Sequence, residues 1–419
     1  MNEVVKIRSV YFYVFIVFYA ASFIWDKVLL YLNWTRMSPQ APKEVEGVYA
    51  PAEYAKQQEY QKENDRFSMC FNSCSFLLGM MILWFGGLGW LDTLLRKYID
   101  HPVALALAFF GVISVCSLAL QIPFDWYETF VIEQKFGFNK TTPWIFITDQ
   151  VKNFFLGLTL EGLVVGVVVS AYIWAGRWFW AQAWAVLAGL GVLLAFFFSE
   201  WIVPLFNQQT PLEEGELRSA IEAFTEKASF PVHNIYMIDG SKRSTKSNAY
   251  FTGFGRKKRI VLYDTLIGDL SVEEVVAVLA HEIGHYKMRH IIYGMILSAV
   301  NIGLILLTMS LFLGNPEFAQ ALGGALPSFH LDVCGLSLLL GPFFAALDVA
   351  KNHIFRRQEY VADNFTVSHG MGDALILALK KISSKALVNL TPHPLVVFWS
   401  YSHPTLLQRI ARIKGTEKS

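Results

Sequence analysis

The segment AVLAHEIGHYKMRH, residues 277–290, carries two histidines four positions apart, with a glutamate directly after the first. Residues four apart lie on one face of an α-helix, so His281 and His285 can present two imidazoles to one tetrahedral metal ion. Zinc lowers the pKa of a bound water toward neutrality, and an adjacent carboxylate can take the proton of that water. The pattern therefore predicts a zinc peptidase site with Glu282 as the general base.

This chemistry requires that the segment be helical. Ser271 can cap a helix, Glu274 can complete a capping box, and apolar residues then recur at helical spacing up to His281. The alternative is a polar helix end whose histidines lie at a membrane interface. The well-formed helix start favours the zinc helix.

A catalytic zinc site needs a third protein ligand. His290 follows His281 by nine positions, whereas the extended metzincin pattern places its third histidine at ten and a glycine where Met288 stands. The sequence therefore does not predict His290 as the third ligand.

The segment RRQEYVADNF, residues 356–365, offers a better candidate. Glu359 and Asp363 are four apart and would share one face of a helix. The prediction is that Glu359 completes the zinc site. The alternative is a surface carboxylate paired with Arg356 or Arg357.

The composition indicates a membrane protein. Of the 419 residues, 54% are hydrophobic and 16% are charged, against roughly 25% charged residues in soluble domains. The net charge of +1 gives no argument for nucleic acid as a partner. Seven apolar stretches are long enough to span a bilayer, at about 9–31, 68–92, 102–122, 154–176, 178–205, 291–313 and 334–354. The first is expected to be a retained span rather than a signal peptide.

Lys and Arg concentrate in the segments after the first, third, fifth and seventh spans, which places those segments in the cytoplasm. Four regions follow: spans one to five over 1–205, a cytoplasmic zinc segment over 206–290, spans six and seven over 291–354, and a cytoplasmic C-terminal segment over 355–419. The last two spans should be antiparallel neighbours, which would bring His285 and Glu359 to a similar depth.

Glu161 and Asp348 fall inside predicted spans and indicate a polar or water-filled interior, because a charge facing lipid is costly. The polar stretch 36–67 is predicted to be a solvated hairpin rather than an element docked on the rest of the protein.

Two β-prone runs, NAYFTGF and KRIVLYD, flank GRKK and predict a hairpin. An exposed strand beside a zinc helix can pair with an extended peptide, or it can simply brace the zinc segment. The basic tip, residues 256–259, could attract anionic lipid.

With these residues in view, the chain resembles the integral-membrane zinc peptidases called CAAX prenyl protease 1. The resemblance is carried by TFVIEQKFGFNKTT (129–142), GSKRSTKSNAYFTGF (240–254), RIVLYDTL (259–266), HEIGH (281–285), RRQEYVAD (356–363) and YSHPTLLQRI (401–410). It implies an all-α polytopic membrane protein in which seven transmembrane helices form a barrel around a large chamber. A cytoplasmic, gluzincin-like zinc domain with a small β-hairpin would close one end.

The resemblance also implies site roles and one Zn²⁺ per chain. The implied zinc ligands are His281, His285 and Glu359, with Glu282 as the base. The implied supporting residues are Asn248 as a substrate-backbone partner, His403 as a stabiliser of the oxyanion or the substrate carboxylate, Asp363 as the group that orients a zinc-bound histidine, and Arg356 as a residue that binds substrate or organises the site.

Family members remove the residues after a prenylated cysteine, so the expected partners are a peptide or lipidated peptide and the lipid bilayer. The absence of a dilysine signal and the short chain favour a bacterial inner membrane over the endoplasmic reticulum. Two other functions stay open. One is a quality-control protease of membrane proteins, and the other is a seven-span transporter or receptor-like protein with a structural zinc.

Overall fold

A computed structural model describes residues 9–38, 40–230, 232, 234–253 and 258–417. The fold is mostly helical. The α-helices are α1 (Val10–Trp34), α2 (Pro51–Trp84), α3 (Gly87–Leu95), α4 (Pro102–Tyr127), α5 (Gln134–Phe136), α6 (Pro143–Ala175), α7 (Phe179–Phe197), α8 (Glu216–Lys227), α9 (Asp264–Asp269), α10 (Val272–Lys287), α11 (His290–Phe312), α12 (Pro316–Ala321), α13 (Phe329–Ser368), α14 (Gly372–Lys385), α15 (Pro394–Ser400) and α16 (Leu406–Glu417). The strands are β1 (Gln209–Pro211), β2 (Asn234–Ile238), β3 (Ala249–Thr252) and β4 (Arg259–Tyr263).

Six helical segments of the described chain are long and apolar enough to cross a membrane. One of them runs over Pro143–Leu205, 63 residues, which would measure about 95 Å as a straight helix and far exceeds a bilayer core of roughly 30 Å. The chain reverses at Gly176, which has a φ of 53°, and α6 and α7 then pack against each other. The count of seven crossings depends on treating this segment as two, and it stays a prediction.

The long helices are arranged in a ring. Successive neighbours are α1, α2, α4, α6, α7, α11 and α13, and α13 packs against α1 again, with the π-helical turn Glu128–Glu133 linking α4 to α2. In the most apolar windows of these helices, only 6% to 17% of the residues are buried. A solid bundle would bury one face of every helix, so the low burial fits a barrel around an open interior.

Glu161, one of the carboxylates predicted inside a span, has a hydrogen-bond partner on a neighbouring helix of the barrel. Ser114 on α4 donates a hydrogen bond to Glu161 on α6 at 2.6 Å. A buried polar cluster lies elsewhere, where α13 begins. There the carboxylate of Asp92 binds His330 at 2.6 Å and Arg96 at 3.0 Å.

The second membrane helix departs from its predicted bounds of 68–92. α2 begins in the polar stretch at Pro51 and ends at Trp84, and α3 is a separate helix after Gly86, whose φ is 69°. The backbones at Gly89 and Gly323 approach so closely that a Cβ on Gly89 would lie 2.0 Å from the carbonyl carbon of Gly323. This contact between α3 and the turn after α12 requires the chain to leave the direction of α2.

The prediction of a solvated hairpin over 36–67 is wrong. Val45, Tyr49 and Tyr54 are buried against a C-terminal cluster that includes Leu387 and Leu390. The hydroxyl of Tyr49 lies 2.9 Å from the carbonyl oxygen of Val388 and 3.0 Å from that of Ser383. The stretch therefore docks on the C-terminal part of the chain.

A four-stranded sheet in the order β1-β2-β4-β3 lies beside the HEIGH helix. β3 and β4 pair antiparallel with Tyr250 opposite Val261, which confirms the predicted hairpin. β2 pairs parallel with β4, and sequence patterns predicted neither β1 nor β2. Of the proposed basic tip, Arg256 and Lys257 lie outside the described residues.

α10 packs on this sheet through Val275, Leu279 and Ile283, which are buried together with Leu262 of β4. It begins as predicted. The hydroxyl of Ser271 accepts from the Glu274 amide at 3.3 Å, and the Ser271 amide donates to the Glu274 carboxylate at 2.8 Å. The predicted helix start is confirmed.

Candidate metal centre

Two helices bring the candidate ligands together. α13 is a single helix of 40 residues, so its C-terminal part extends from the membrane-spanning part without a break. α10 crosses it closely at Gly284, where an added Cβ would lie 3.1 Å from the Cα of Ala362. The small residue lets the backbones approach, and the histidines of α10 then lie beside the carboxylates of α13.

The ligand atoms of His281, His285 and Glu359 all lie within 4.8 Å of one another. The two Nε2 atoms are 3.1 Å apart. The Glu359 carboxylate lies 3.5 Å from Nε2 of His281 and 3.2 Å from Nε2 of His285. Glu359 is buried beside these histidines, so the alternative of a surface carboxylate paired with Arg356 or Arg357 is wrong.

The spacing of these atoms fits a zinc ion. Zinc bonds of about 2.0–2.1 Å in a tetrahedral site place neighbouring ligand atoms about 3.3 Å apart. The observed separations of 3.1, 3.2 and 3.5 Å bracket this value. Two nitrogens and one carboxylate oxygen are also a donor set that zinc accepts at catalytic sites.

Asp363 lies on the other side of the His281 ring. Its carboxylate is 2.9 Å from Nδ1 of His281, and it binds the guanidinium of Arg409 with both oxygens, at 3.0 and 2.6 Å. Asp363 is fully buried. It therefore holds the ring with Nε2 directed at Glu359 and His285.

The electrostatics of the site favour a cation. Burial and the charge of Arg409 lower the pKa of His281, but hydrogen bonds with Asp363 and Glu359 outweigh them and raise that pKa to about 9. The carboxylates that stabilise a proton on this ring would equally stabilise a divalent ion, whose binding displaces the proton. Burial lowers the pKa of Arg409, but the charges of Asp363, Glu359 and Glu282 raise it above its ordinary value.

A cavity of 520 Å³ opens beside the ligands. Glu282, half-buried, lines it together with the three candidate ligands. The strand segment 247–251 forms another wall of the cavity. Glu282 and the edge strand β3 therefore line the same cavity as the three candidate metal ligands.

His403 and Asn248 also line this cavity. Nε2 of His403 lies 3.4 Å from the Glu359 carboxylate, and its side chain is 66% exposed. Nδ1 of the same ring lies 2.9 Å from the hydroxyl of Ser402. The side-chain oxygen of Asn248 accepts from the Ala249 amide at 2.9 Å.

Arg356 lies elsewhere. Its guanidinium donates to the carbonyl oxygens of Val397 at 3.1 Å and Phe398 at 3.4 Å, and also to that of Tyr401. These carbonyls belong to the end of α15 and the residue after it, and His403 follows within a few residues. Arg356 thus contacts the backbone that leads to His403, and it is not among the residues lining the cavity.

Two residues of the site were missed from the sequence. Arg409 binds Asp363, and Nδ1 of His290 lies 2.9 Å from Nδ1 of His285. Arg409 could have been predicted as a site residue. It lies on the buried face of α16 between Leu406 and Ile413, and a charge on a buried face requires a buried partner. His290 was weighed only as a metal ligand, and its partner on the preceding helix was not considered.

Comparisons with known proteins agree with this architecture. Residues 31–208 match the family model for the N-terminal part of CAAX prenyl proteases, with five membrane helices, and residues 211–417 match peptidase family M48. The crystal structure of Ste24p from S. mikatae superposes with a TM-score of 0.90 at 29% identity, covering 96% of this chain and 99% of that one.

Curated relatives match over nearly the whole chain. A CAAX prenyl protease 1 homolog of Arabidopsis thaliana is 32% identical, covering 91% of this chain and 92% of the relative. CAAX prenyl protease 1 of Saccharomyces cerevisiae is 31% identical, with 94% and 93% covered. The homolog of Homo sapiens is 29% identical, with 90% of each chain covered.

The helical membrane barrel and the peptidase region at its end define an integral-membrane metallopeptidase. The chain belongs to the CAAX prenyl protease 1 family within peptidase family M48.

Proposed function

We propose that this protein is a zinc endopeptidase that cleaves peptide bonds near the C-terminus of CAAX-type, lipidated peptides at the cytoplasmic face of a membrane. The observation that carries the proposal is the meeting of His281, His285 and Glu359 in one cavity with Glu282 and an edge strand. The names of the curated relatives support the substrate class.

The proposed division of the chain follows from this assignment. Residues 1–205 and 291–354 supply the membrane barrel, and residues 206–290 and 355–419 supply the two halves of the peptidase. The concentration of Lys and Arg in the peptidase halves supports a cytoplasmic orientation. The same orientation serves in either membrane considered from the sequence, a bacterial inner membrane or the endoplasmic reticulum.

One Zn²⁺ held by His281, His285 and Glu359 would supply a Lewis acid that acidifies water and polarises a carbonyl group. Glu282 takes the proton of the attacking water and delivers it to the leaving amine. His403 donates from Nε2 to the carbonyl oxygen as negative charge develops there. Asp363 keeps a proton on Nδ1 of His281, so that Nε2 has its lone pair free.

The edge strand can hold the peptide. The Tyr263 amide donates to the carbonyl oxygen of Asn248 at 3.1 Å, so in the alternating antiparallel pattern Ala249 and Phe251 direct their backbone groups away from β4. A peptide added as a fifth strand would pair with these groups beside the metal centre. The side chain of Asn248, which now accepts from Ala249, can turn to the substrate backbone.

The test of the chemistry is Glu282→Gln in the purified full-length chain. This variant should retain one zinc per chain and lose peptide cleavage by several orders of magnitude, because the base is removed and the ligands are not. Glu273→Gln, which changes an exposed glutamate on the same helix, is the matched control. Undiminished turnover by the Glu282→Gln protein would rule out the proposed base.

The test of the substrate class compares one peptide with and without a farnesyl group on its CAAX cysteine. Preferential cleavage of the farnesylated form is expected. Equal cleavage of both forms would instead favour a quality-control protease with the same chemistry.

A seven-span transporter or receptor-like protein with structural zinc is the remaining alternative. A structural site is closed by four protein ligands, often cysteines. The four cysteines, Cys70, Cys74, Cys116 and Cys334, lie outside the two proposed peptidase halves. Zinc spectroscopy that found four protein ligands and no solvent ligand would favour this alternative.

A further inference from the structure

The His285 ring is held from both sides. Its Nε2 faces the candidate ligands, 3.1 Å from Nε2 of His281 and 3.2 Å from the Glu359 carboxylate. Its Nδ1 lies 2.9 Å from Nδ1 of His290, and the two rings are inclined by 72°. The ring of His281 has the same arrangement, with Asp363 in the place of His290.

The direction of the hydrogen bond follows from the proposed metal site, on which this inference rests. A neutral imidazole that gives the lone pair of Nε2 to a metal carries its proton on Nδ1. Nδ1 of His285 is therefore the donor and Nδ1 of His290 the acceptor, which leaves the proton of His290 on Nε2. A hydrogen-bond acceptor behind a metal-bound histidine fixes the ring and increases the basicity of the ligand.

The backbone between the two histidines makes this contact possible. On a continuous α-helix, residues five apart are rotated by about 140° around the axis, so His290 would point away from His285. α10 ends at Lys287, α11 begins at His290, and Arg289 between them has a φ of 58°. Residues other than glycine rarely adopt this left-handed backbone conformation. Its presence at Arg289 indicates that the surrounding contacts require it.

We propose that His290 is a positioning residue of the metal centre, which accepts the Nδ1 proton of His285, and that the left-handed turn at Arg289 places it there. His290 is also the first residue of a membrane helix, α11. The orientation of one metal ligand is thereby tied to the position of a barrel helix.

The experiment is a measurement of zinc affinity by competition with a chelator, on the detergent-solubilised full-length chain. His290→Ala should weaken zinc binding about 10-fold to 100-fold, the range typical of lost outer contacts to metal-bound histidines. His290→Asn should recover most of the affinity, because its amide oxygen can replace Nδ1 as acceptor. His101→Ala, at an exposed histidine that precedes α4 and makes no side-chain capping hydrogen bond, controls for the loss of a histidine alone.

Two outcomes would overturn the positioning role. Wild-type affinity in His290→Ala would show that the contact does not matter for the metal. Equal loss in His290→Ala and His290→Asn would show that ring packing matters and the acceptor does not. Neither outcome would contradict the proposed peptidase activity. A wild-type chain that bound no zinc would contradict the proposed function itself.

The role of the turn is tested with Arg289→Gly. Glycine adopts a positive φ without steric cost, so this variant should keep wild-type zinc affinity and unfold at an equal or higher temperature. A loss of affinity as large as that of His290→Ala would overturn the assignment, because it would show that the guanidinium acts on the site directly.

Discussion

The carboxylate of Asp363 lies 2.9 Å from Nδ1 of His281, and the same carboxylate is the bidentate partner of Arg409. The three side chains come from three helices, α13, α10 and α16. The carboxylate therefore orients a proposed metal ligand and also neutralises a buried guanidinium.

Replacing Asp363 should damage both roles. Asp363→Ala leaves the guanidinium of Arg409 without its buried partner, which costs about 3–5 kcal/mol of stability. Asp363→Asn keeps an acceptor for His281 but loses the charge, and zinc affinity should fall about 10-fold to 100-fold. Thermal unfolding and chelator competition measure the two effects. Asp373→Asn, at an exposed aspartate of α14, should change neither quantity.

Replacing His403 should lower kcat and leave zinc binding unchanged. Its Nε2 lies 3.4 Å from the Glu359 carboxylate, at the wall of the cavity. His403→Ala should lower kcat about 100-fold to 1000-fold with zinc content and KM little changed, because the lost donor acts on the charge that develops in the transition state. His403→Gln, whose amide can still donate, should recover part of the activity. A fall in zinc content equal to the fall in kcat would contradict this role.

Asn248 should affect substrate binding modestly. A neutral hydrogen bond contributes about 0.5–1.5 kcal/mol, so Asn248→Ala should lower kcat/KM about 2-fold to 10-fold while the zinc affinity stays at the wild-type value. The measurement is steady-state cleavage of one CAAX peptide. A peptide methylated on the backbone nitrogen that pairs with β3 should lose activity in the wild-type protein. Equal cleavage of methylated and unmethylated peptides would argue that β3 only braces the site.

The start of α10 should make the stability of the protein depend on pH. Burial raises the pKa of Glu274, but hydrogen bonds from Lys381 and the Ser271 amide outweigh it and lower the pKa below the ordinary 4.5. The carboxylate therefore contributes stability above pH 4.5, and this contribution is lost as the pH falls through the lowered pKa. Glu274→Gln should lose about 1 kcal/mol at pH 7, with a smaller difference from wild type at pH 3. A difference that did not change with pH would mean that the charge of Glu274 is unimportant.

Local periodicity was sufficient to predict the helix that carries HEIGH. Each predicted helical feature spans only a few turns of one helix. These features are the cap at Ser271, the pair His281 and His285, and the pair Glu359 and Asp363, and each lies on a helix as the pattern predicted. The predicted hairpin is present for the same reason, since its strands are adjacent in sequence.

Long-range packing was not predictable in this way. Arg409 meets His281 across 128 residues, and Tyr49 meets Val388 across 339 residues. No repeat of apolar positions encodes such contacts, so the stretch 36–67 was expected to be solvated. The parallel pairing of β2 with β4 was missed because a short strand far from its partner gives no local signal.

The end of α2 was misplaced for a related reason. The apolar stretch continues past Trp84, and hydropathy alone cannot register the left-handed Gly86 that divides it. The division is set by the close approach of Gly89 to Gly323, more than 200 residues later in the chain.

The two halves of the candidate metal centre are synthesised at different times. The HEIGH helix is synthesised before the two spans proposed over 291–354, whereas Glu359, His403 and Arg409 are synthesised after them. Tyr49 can bind the carbonyl oxygen of Val388 only after another 339 residues have been translated. A nascent chain that ends after the HEIGH helix therefore lacks Glu359, and the candidate site can be assembled only after both of these spans have been made.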